Sequence, residues 1–524
     1  MRRRTFLAAS AATLARPALV RAASAATLKF IPYADLALTD PAVSAMVTRN
    51  HTMMVFDSLF AIDEQGIARP QMLAGYTTEP DGLTWTLTLR DGLKFHDGTP
   101  VLARDVTASL QRWWVNDAFG QALAAATNEL VALDDARIQF RLKRRFHLLP
   151  DALAHPTNLI AAIMPERLAK TPPTERLKEI VGSGPFRFLP EERVPGARNV
   201  YAKFTDYVPR PDGVPSFCAG PRVVHFDRVE WLTTPDWGTQ AAALQAGEVD
   251  WVEQPLMDLV GTLRKNTRLK VEVVETKGLT GFLRFNHMYP PFDNPGVRRA
   301  LLKAVNQTEF MEAVVGGNAA FDANCGFFAP GSSCASDTGL DSLGGKQSLT
   351  DIRHELAAAG YAGERIVYLS TSDVPRINAI SQVGADLLRK LGMNVDEVFT
   401  DWGTAVQRVI SKQPLDKGGW SMFASFTGGY DTATPSTHQQ LRGNGPRAGN
   451  GWPVSPALEA LRDAWMETED SGARYDIARK IQARAMVEVP YLPLGSYFQP
   501  VAYKAELVDM KKGLIQFTGV RRAA

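Results

Sequence analysis

One strand–helix–strand stretch limits the fold more than any other part of the sequence. An apolar run over 365–373 is followed by an amphipathic segment over 377–391 and by a second strand-like run over 393–402. Gly392 stands where a helix commonly ends, because glycine adopts the left-handed backbone conformation without strain. A strand, a helix and a strand in succession favour a parallel pair with a right-handed crossover. The sequence therefore predicts an α/β fold with mixed sheets.

Short strands alternate with helices over most of the remaining chain. Asn294 stands at a predicted N-cap and Pro295 at the first helical position after it. The chain has 524 residues and no low-complexity linker, which predicts two or three compact lobes. The periodicity of apolar residues predicts strands over 137–144, 222–232, 270–275 and 281–288, and helices over 240–250 and 294–306.

The stretch LTWTLTLRDGLKFHDGTPVLARDV, residues 83–106, places a histidine between two Asp-Gly pairs. Its first residues alternate between apolar and polar, which predicts a half-buried strand, and the Asp-Gly pairs predict turns. The residues after Thr99 have near-helical apolar spacing, with Asp105 in the first turn, where a negative charge suits the helix dipole. We therefore expect His96 and Asp97 to lie on the turn between this strand and this helix, and to have a structural role.

Residues 1–26 have the features of an export signal. A basic start precedes a short Ala-rich stretch, and residues 23–25, ASA, have the small-residue pattern of a cleavage site. Residues 3–7, RRTFL, resemble a twin-arginine signal; an ordinary secretory signal is the alternative. The stretch is too short for a permanent membrane span, and no cysteine follows the cleavage region that could carry a lipid. We expect an exported protein that is not membrane-anchored.

Removal of this segment changes the net charge. Without its five arginines the Lys and Arg count falls from 58 to 53, against 56 Asp and Glu, so the net charge changes from +2 to about −3. A basic surface for nucleic acid is therefore not indicated.

The three cysteines are Cys218, Cys325 and Cys334. In an oxidising compartment Cys325 and Cys334 could close a short loop, and this bridge is the favoured pairing. The alternatives are free thiols or a bridge from one of them to Cys218. Neither the cysteines nor the eight histidines have the spacing of a zinc site.

The sequence contains no G-x-S-x-G, H-E-x-x-H, P-loop or G-x-G-x-x-G motif. Catalytic triads also assemble from distant residues, so an exported hydrolase stays as a remote alternative. We expect no enzyme activity, no cofactor and no metal site.

Six blocks of the sequence resemble the extracytoplasmic solute-binding proteins, family 5, of dipeptide- and oligopeptide-type ABC transporters. They occur in that family's order and extend over nearly the whole chain after the export signal. The blocks are TWTLTLRDGLKFHDGTPVLARDV (84–106), VGSGPFRF (181–188), ALQAGEVDW (243–251), RFNHMYPPFDNPGVRRAL (284–301), AAAGYAG (357–363) and VPYLPL (489–494).

The resemblance implies a two-lobed periplasmic-binding-protein fold, type II and cluster C-like, that closes on a ligand. It assigns 27–55, 181–277 and 487–524 to the first lobe, 56–180 to a domain inserted in that lobe, and 278–486 to the second lobe. The chain would cross between the lobes near 276–279 and near 488–491. The implied function is that of a periplasmic, monomeric component of an ABC importer, which delivers a small peptide or peptide-like solute to the permease.

The resemblance also places the ligand site, where this chain departs from the family's pattern. Many peptide-binding members carry an aspartate, in a segment similar to W-T-G-D, that pairs with the peptide's α-amine. The matching segment here is FTGGYD, 426–431, with Gly429 at the position of that aspartate and Asp431 two residues further on. Arg376 is displaced from the position at which some members bind the peptide's carboxylate. A peptide is therefore one prediction for the cargo, and a nickel chelate, an opine, glutathione or an oligosaccharide is the other.

The candidate ligand contacts are aromatic, polar or glycine residues, because aromatic rings can stack on a ligand and glycines allow its close approach. The alternative for Trp420 is a place in the second-lobe core, and for His51 a structural role. The candidates are Trp402, Trp420, Phe426, Gly429, Tyr430, Asp431 and Arg442 in the second lobe, with Asn50 and His51 in the first.

Overall fold

The structure is a computed structural model, and it describes residues 26–172, 175–317 and 319–523. The predicted export signal therefore lies outside the described residues, apart from Ala26. Within these ranges, no helix combines the length and the apolar character that a membrane span needs.

The strands of the described ranges are short, and most belong to three sheets. They are β1 Thr27–Ile31, β2 Phe60–Ile62, β3 Ala68–Pro70, β4 Leu73–Thr78, β5 Thr84–Leu89, β6 Thr127–Ala132, β7 Arg137–Leu142, β8 Phe186–Phe188, β9 Arg198–Lys203, β10 Arg228–Leu232, β11 Trp251–Val252, β12 Leu269–Glu272, β13 Leu279–Phe285, β14 Phe321–Asp322, β15 Ile366–Thr371, β16 Val395–Thr400, β17 Met422–Gly428, β18 Tyr491–Tyr497, β19 Val501–Lys504, β20 Leu507–Val508 and β21 Arg521–Arg522.

The helices of the same ranges lie mostly between these strands. They are α1 Met46–Val55, α2 Ala103–Trp113, α3 Ala118–Ala126, α4 Leu149–Ala154, α5 Glu166–Ala169, α6 Trp237–Ala246, α7 Met257–Arg264, α8 Pro295–Ala304, α9 Gln307–Val315, α10 Leu349–Ala358, α11 Pro375–Lys390, α12 Trp402–Val409, α13 Pro456–Glu467 and α14 Ser471–Glu488.

Two large mixed sheets form the centres of two lobes. The first has the strand order β12-β19-β11-β1-β10-β9-β8, and the second has the order β14-β18-β13-β17-β15-β16. The predicted strand–helix–strand unit is confirmed, because β15 and β16 pair in parallel on either side of α11. Gly392, just after α11, has φ 77°, the left-handed conformation expected there.

A third, four-stranded antiparallel sheet, β4-β5-β7-β6, is built from the chain between Leu73 and Leu142. In β5 the apolar side chains Trp85, Leu87 and Leu89 are buried, as their alternation predicts. The helix after it is α2, and the Asp105 carboxylate accepts a hydrogen bond from the Leu102 N–H at its start. This sheet lies within the predicted insertion over 56–180.

The second passage of the chain between the large sheets differs from the prediction. The expected crossing was 488–491, but β18 pairs with β13 in the second sheet and β19 pairs with β11 in the first. All seven residues of β18 are buried against its neighbours, so this segment belongs to the second lobe. The chain therefore crosses at 498–500. The first crossing lies between Glu272, at the end of β12, and Leu279, at the start of β13.

Several predicted elements have different bounds in the structure. The strand predicted over 222–232 begins only at Arg228, and Arg222 is instead buried in an ion pair with Asp57, 2.7 Å away. The helix predicted over 240–250 is α6, which ends before Gly247, a residue with φ 81°. The helix predicted over 294–306 is α8, and the Asn294 side chain caps it by accepting a hydrogen bond from the Gly296 N–H at 2.8 Å.

The predicted Cys325–Cys334 bridge is absent, and all three cysteines are free and buried. The Cys325 thiol instead donates a hydrogen bond to the Asp322 carbonyl oxygen at 3.2 Å. The Cys325 main chain is held by the Gln307 side chain, whose amide oxygen accepts from the Cys325 N–H and whose amide group donates to the Cys325 carbonyl.

Candidate functional site

A cavity of about 270 Å³ lies between the two large sheets, where β13 and β17 of the second lobe face the segment before α1. Side chains of both lobes and of the inserted region form its wall. The wall includes Tyr33 and Met46 from the first lobe, Asn158 from the insertion, and Phe282, Arg284, Arg376, Trp402, Phe426, Asp431 and Gln440 from the second lobe.

Gly429 packs against the first crossing between the lobes. Its N–H donates to the Gly278 carbonyl oxygen at 2.9 Å, and a Cβ at this position would lie 2.1 Å from the Lys277 carbonyl oxygen. No side chain fits in that space without a shift of the main chain. The aspartate that the family resemblance led us to expect at this position is therefore excluded by the close approach of the crossing segment.

Asp431 supplies a carboxylate to the cavity from two residues further on. Its Oδ1 accepts a hydrogen bond from the Asn158 N–H at 3.0 Å, and its Oδ2 accepts one from the Thr427 hydroxyl at 3.4 Å. The side chain is buried, and this burial raises the pKa of the carboxyl, while the nearby Arg49 opposes the rise. The contact with Asn158 joins the second lobe to the insertion.

Arg376 is the second charged group of the cavity. The sequence match suggested that it is displaced from a useful position, but the structure brings it to the same cavity as Asp431. Its guanidinium lies over the Tyr33 ring, 4.7 Å from the centroid, and Nη1 donates to the Gln254 side-chain oxygen. Both partners belong to the first lobe, so Arg376 connects the lobes across the cleft. Its Nε is buried without a hydrogen-bond partner among the described residues.

Arg49 lies behind this wall, at the junction of the lobes. It is 1% exposed, and its Nε and Nη1 have no partner within the described ranges. Its positive charge lowers the pKa values of Asp431, Glu253 and Glu275 against the effect of their burial. Burial and the repulsion of Asp431 and Glu253 nevertheless raise the pKa of Glu275 to about 8.

The aromatic candidates separate into three places. Trp402 and Phe426 line the cavity, with Phe426 buried beneath Arg376. Trp420 is fully buried in the second-lobe core, where it packs on Phe423 and Trp452 instead of facing the cavity. Tyr430 stacks on Phe217 of the first lobe, with ring centroids 5.0 Å apart.

Tyr430 lines a separate and larger cavity of about 730 Å³. This space lies between the insertion, the first crossing and the loop that carries Cys334. Thr437 lines both cavities, and the Tyr430–Asp431 pair divides them. We assign the candidate site to the smaller cavity because it holds Asp431, Arg376, Phe426 and Trp402 together.

Arg442, Asn50 and His51 lie off both cavities. Arg442 forms an ion pair with Glu459 at 3.0 Å and donates to the Gln121 side-chain oxygen at 3.0 Å, so it fixes the second lobe to the insertion. The Asn50 amide donates to Glu253 at 3.0 Å. His51 is completely buried beside the Tyr201 hydroxyl, 2.9 Å away, and burial lowers its pKa to about 3.

Sequence reasoning missed Arg284, Asn158 and Gln440 as parts of the cavity wall. One signal for Arg284 was available, since it is a single charged residue inside the apolar strand GFLRF. A charge in such a run is buried at a high free-energy cost unless something pairs with it. Asn158 lies in an irregular segment and Gln440 in a single 3-10 turn, Gln439–Leu441, so no periodicity indicates where their side chains point. Among the described residues no cluster of His, Cys, Asp and Glu could hold a metal ion.

The comparisons with known proteins agree with this architecture. The model of the bacterial extracellular solute-binding proteins, family 5, matches residues 68–447. The chain belongs to this family. This solute-binding protein is 36% identical over 515 residues to the probable peptide ABC transporter periplasmic-binding protein y4tO of Sinorhizobium fredii, covering 96% of this chain and 95% of that one. It is 30% identical over 272 residues to the glutathione-binding protein GsiB of Salmonella typhi, covering 50% and 49%.

Solved structures show the same fold at lower identity. The binding protein AgaA of A. tumefaciens R10, in complex with agropinic acid, has a TM-score of 0.79 at 21% identity and covers 95% of this chain and 99% of that one. The protein DppA of Helicobacter pylori, in complex with the peptide STSA, has a TM-score of 0.79 at 22% identity, covering 95% and 98%. The solute-binding protein therefore has the two-lobed type II fold of this family.

Proposed function

We propose that this protein captures a small peptide or peptide-like solute between its lobes and delivers it to the transmembrane subunits of an ABC importer. The observation that carries the proposal is that Asp431 and Arg376 line one cavity between the lobes. A carboxylate can pair with an amine, and a guanidinium can bind a carboxylate in a planar fork. Affinity would then come from contacts made only when the lobes close.

A non-peptide cargo is the second candidate, and it keeps the same role. The observation that favours it is the contact of Gly429 with Lys277, which moves the acidic partner two residues along the chain. An amine bound at Asp431 would not occupy the place it has in relatives with the standard aspartate. An opine, glutathione, a nickel chelate or an oligosaccharide would satisfy such an altered site.

The remaining features of the proposal follow from the sequence. The export signal over 1–26 with its twin-arginine pattern supports export to the periplasm by the twin-arginine route. We propose a monomer without cofactor that binds no nucleic acid and catalyses no reaction. An exported hydrolase would differ by turning over the bound compound, with loss of turnover in the Asp431→Asn variant.

The test is identification of the solute that co-purifies with the protein from a bacterium that encodes it. Mass spectrometry of the released small molecules identifies the cargo, and small-angle scattering with and without it measures closure. We expect a free peptide or a peptide-like amino acid derivative and a smaller radius of gyration in its presence. If no compound from the bacterial extract stabilises the protein against thermal unfolding, the capture of a solute is refuted.

A further inference from the structure

Arg284 is a buried cation in the middle of the second-lobe sheet. It lies in β13, whose seven residues are all buried, and it is opposite Phe423 of β17 and Tyr491 of β18. It is 2% exposed, and it also lines the smaller cavity. A strand position of this kind normally holds an apolar side chain.

The contacts of Arg284 with the protein are made to main-chain carbonyls. Nη1 donates to the carbonyl oxygens of Gln440 at 2.8 Å and of Pro490 at 3.4 Å, and Nε donates to that of Asn450. No carboxylate of the described residues lies within ion-pair distance of it. Burial lowers the pKa of Arg284 to about 10, which leaves the group charged at neutral pH. A buried charge without a counter-charge is strongly unfavourable.

Nη2 of Arg284 is buried and makes no hydrogen bond in the described part of the chain. Two other polar atoms that line the same cavity, Asn158 Oδ1 and Arg376 Nε, are also buried and have no hydrogen-bond partner among the described residues. Unpaired buried polar atoms are rare in folded proteins, so three around one cavity indicate that a bound molecule completes the wall.

Arg298 shows what an arginine with only a structural role looks like in the same lobe. It is buried in α8 and donates to the carbonyl oxygens of Glu488, Val489 and Phe292. None of its side-chain nitrogens is unpaired among the described residues, and it lines neither the smaller nor the larger cavity. The carbonyl contacts therefore pair every side-chain nitrogen of Arg298, but they leave one donor of Arg284 free.

We propose that Arg284 binds an anionic group of the solute, in addition to the carboxylate that Arg376 binds. The inference rests on the proposed function, because it requires a solute in the smaller cavity. The solute then has at least two acidic groups and a net negative charge, unlike a simple zwitterionic dipeptide. The free acceptor of Asn158 fits an N–H or O–H group of the same molecule.

The first experiment determines the charge of the solute with the wild-type protein. The small-molecule extract of a bacterium that encodes the protein is passed over a strong anion-exchange resin at pH 7.5. The flow-through and the salt-eluted fraction, both desalted, are then tested for thermal stabilisation of protein that was unfolded, washed and refolded. We expect stabilisation by the eluted fraction and its loss after the carboxylates in that fraction are converted to amides.

The two failures are distinguishable. Stabilisation by the flow-through alone would overturn the role of Arg284 and leave the capture of a solute intact. Stabilisation by neither fraction would refute the proposed function itself, and the inference with it.

The second experiment compares Arg284→Met with Arg298→Met in a dilution series of the eluted fraction. We expect Arg284→Met to need a dose about 10- to 100-fold higher for half-maximal stabilisation, the loss typical of one charged hydrogen bond. Arg298→Met should be less stable than the wild type but respond to the same dose. If Arg284→Met does not fold, Arg284→Lys serves instead, since lysine keeps the charge but not the planar fork. An unchanged dose response for the folded Arg284 variant would overturn the inference.

Discussion

The two cavities of this solute-binding protein differ in what their walls leave unpaired. Within the described ranges, the larger one, of about 730 Å³, leaves Ser332 Oγ without a hydrogen bond, and its His155 Nε2 lies 3.3 Å from the Asp117 carboxylate. The smaller one, of about 270 Å³, has unpaired guanidinium nitrogens on Arg284 and Arg376. An unpaired buried charge raises the free energy of the folded protein far more than an unpaired hydroxyl. The comparison therefore supports the proposal that a solute binds in the smaller cavity, where its charge would pair with these guanidinium groups.

A substitution in the wall between the cavities, at Gly429, has the largest expected effect on stability and binding. Gly429→Ala should destabilise the protein by about 3 kcal/mol or more, because its Cβ would lie 2.1 Å from the Lys277 carbonyl oxygen and overpacking of this kind has a cost at the upper end of the usual range. We also expect loss of solute binding, since the same contact holds the crossing segment against the Tyr430–Asp431 pair. Denaturant unfolding and a thermal shift with the co-purified solute measure the two effects.

Gly261→Ala is the matched control for that substitution. Gly261 lies in α7, and a Cβ at this position would have no atom within 4 Å of it. The variant should therefore be about 0.5–1 kcal/mol more stable than the wild type, because alanine suits a helix interior better than glycine. Equal stability of Gly429→Ala and Gly261→Ala would show that the crossing segment adapts, and the wall would then not exclude an aspartate.

Matched aspartate variants test which cavity binds the solute. Asp431 lines the smaller cavity and Asp151 the larger, and burial raises the pKa of each. Asp431→Asn should weaken binding of an amine-bearing solute about 10- to 100-fold, because it removes a charged hydrogen-bond acceptor. Asp151→Asn should leave the affinity unchanged. Isothermal titration with the identified solute measures both, and the reverse result would assign the site to the larger cavity.

The pH dependence of stability is a second measurable property of the Asp431→Asn variant. A carboxyl with a raised pKa binds its proton more tightly in the folded than in the unfolded protein. Its contribution to stability is therefore present at low pH and falls as the pH rises above the ordinary carboxyl value. The asparagine variant lacks this loss. The free energy of unfolding of the variant minus that of the wild type should therefore be larger at pH 7 than at pH 4. A constant difference across this range would contradict the raised pKa of Asp431.

Much of the fold followed from local patterns, and much of the site did not. The parallel β15–α11–β16 unit and the Asn294 cap depend on neighbours in the sequence, so periodicity and capping rules predicted them. The second crossing was misplaced because VPYLPL is apolar enough for either lobe, and only its pairing with β13 assigns it. Arg376 was judged displaced from a linear match, although α11 presents it to the cleft. Such contacts between distant segments have no local signature.

His96 provides a reference outside both cavities. Its Nε2 lies 2.9 Å from the Gly184 carbonyl oxygen and its Nδ1 accepts from the Gly182 N–H at 3.3 Å, so both ring nitrogens are paired. His96→Ala should cost about 1–3 kcal/mol of stability through the loss of these buried hydrogen bonds, with no change in affinity for the solute. Chemical denaturation and titration measure the two quantities, and a large loss of affinity with an intact fold would contradict the structural role.

The pH dependence of the His96 effect has a defined sign. Burial lowers the pKa of His96 from 6.5 to about 4, so between these values the unfolded chain binds a proton that the folded protein does not. The stability that the neutral ring contributes is complete above pH 6.5 and declines as the pH falls towards 4. As the pH falls from 6.5 to about 4, the free energy of unfolding should therefore decrease less for His96→Ala than for the wild type. Burial also lowers the pKa of His51, to about 3. His51 is present in both proteins, so its own effect on the pH dependence of stability cancels in the comparison.

The smallest expected effect concerns Cys334, in the wall of the larger cavity. All three cysteines are free, and burial raises the pKa of Cys334 to about 11, so little reactive thiolate exists at neutral pH. A reductant should leave the unfolding midpoint unchanged, and iodoacetamide should label the thiols only after unfolding. A Cys325–Cys334 bridge would instead give a loss of about 2–3 kcal/mol on reduction. Rapid labelling of Cys334 in the folded protein, prevented by the solute, would mean that the larger cavity is open to the cargo, and it would remove the distinction between the two cavities.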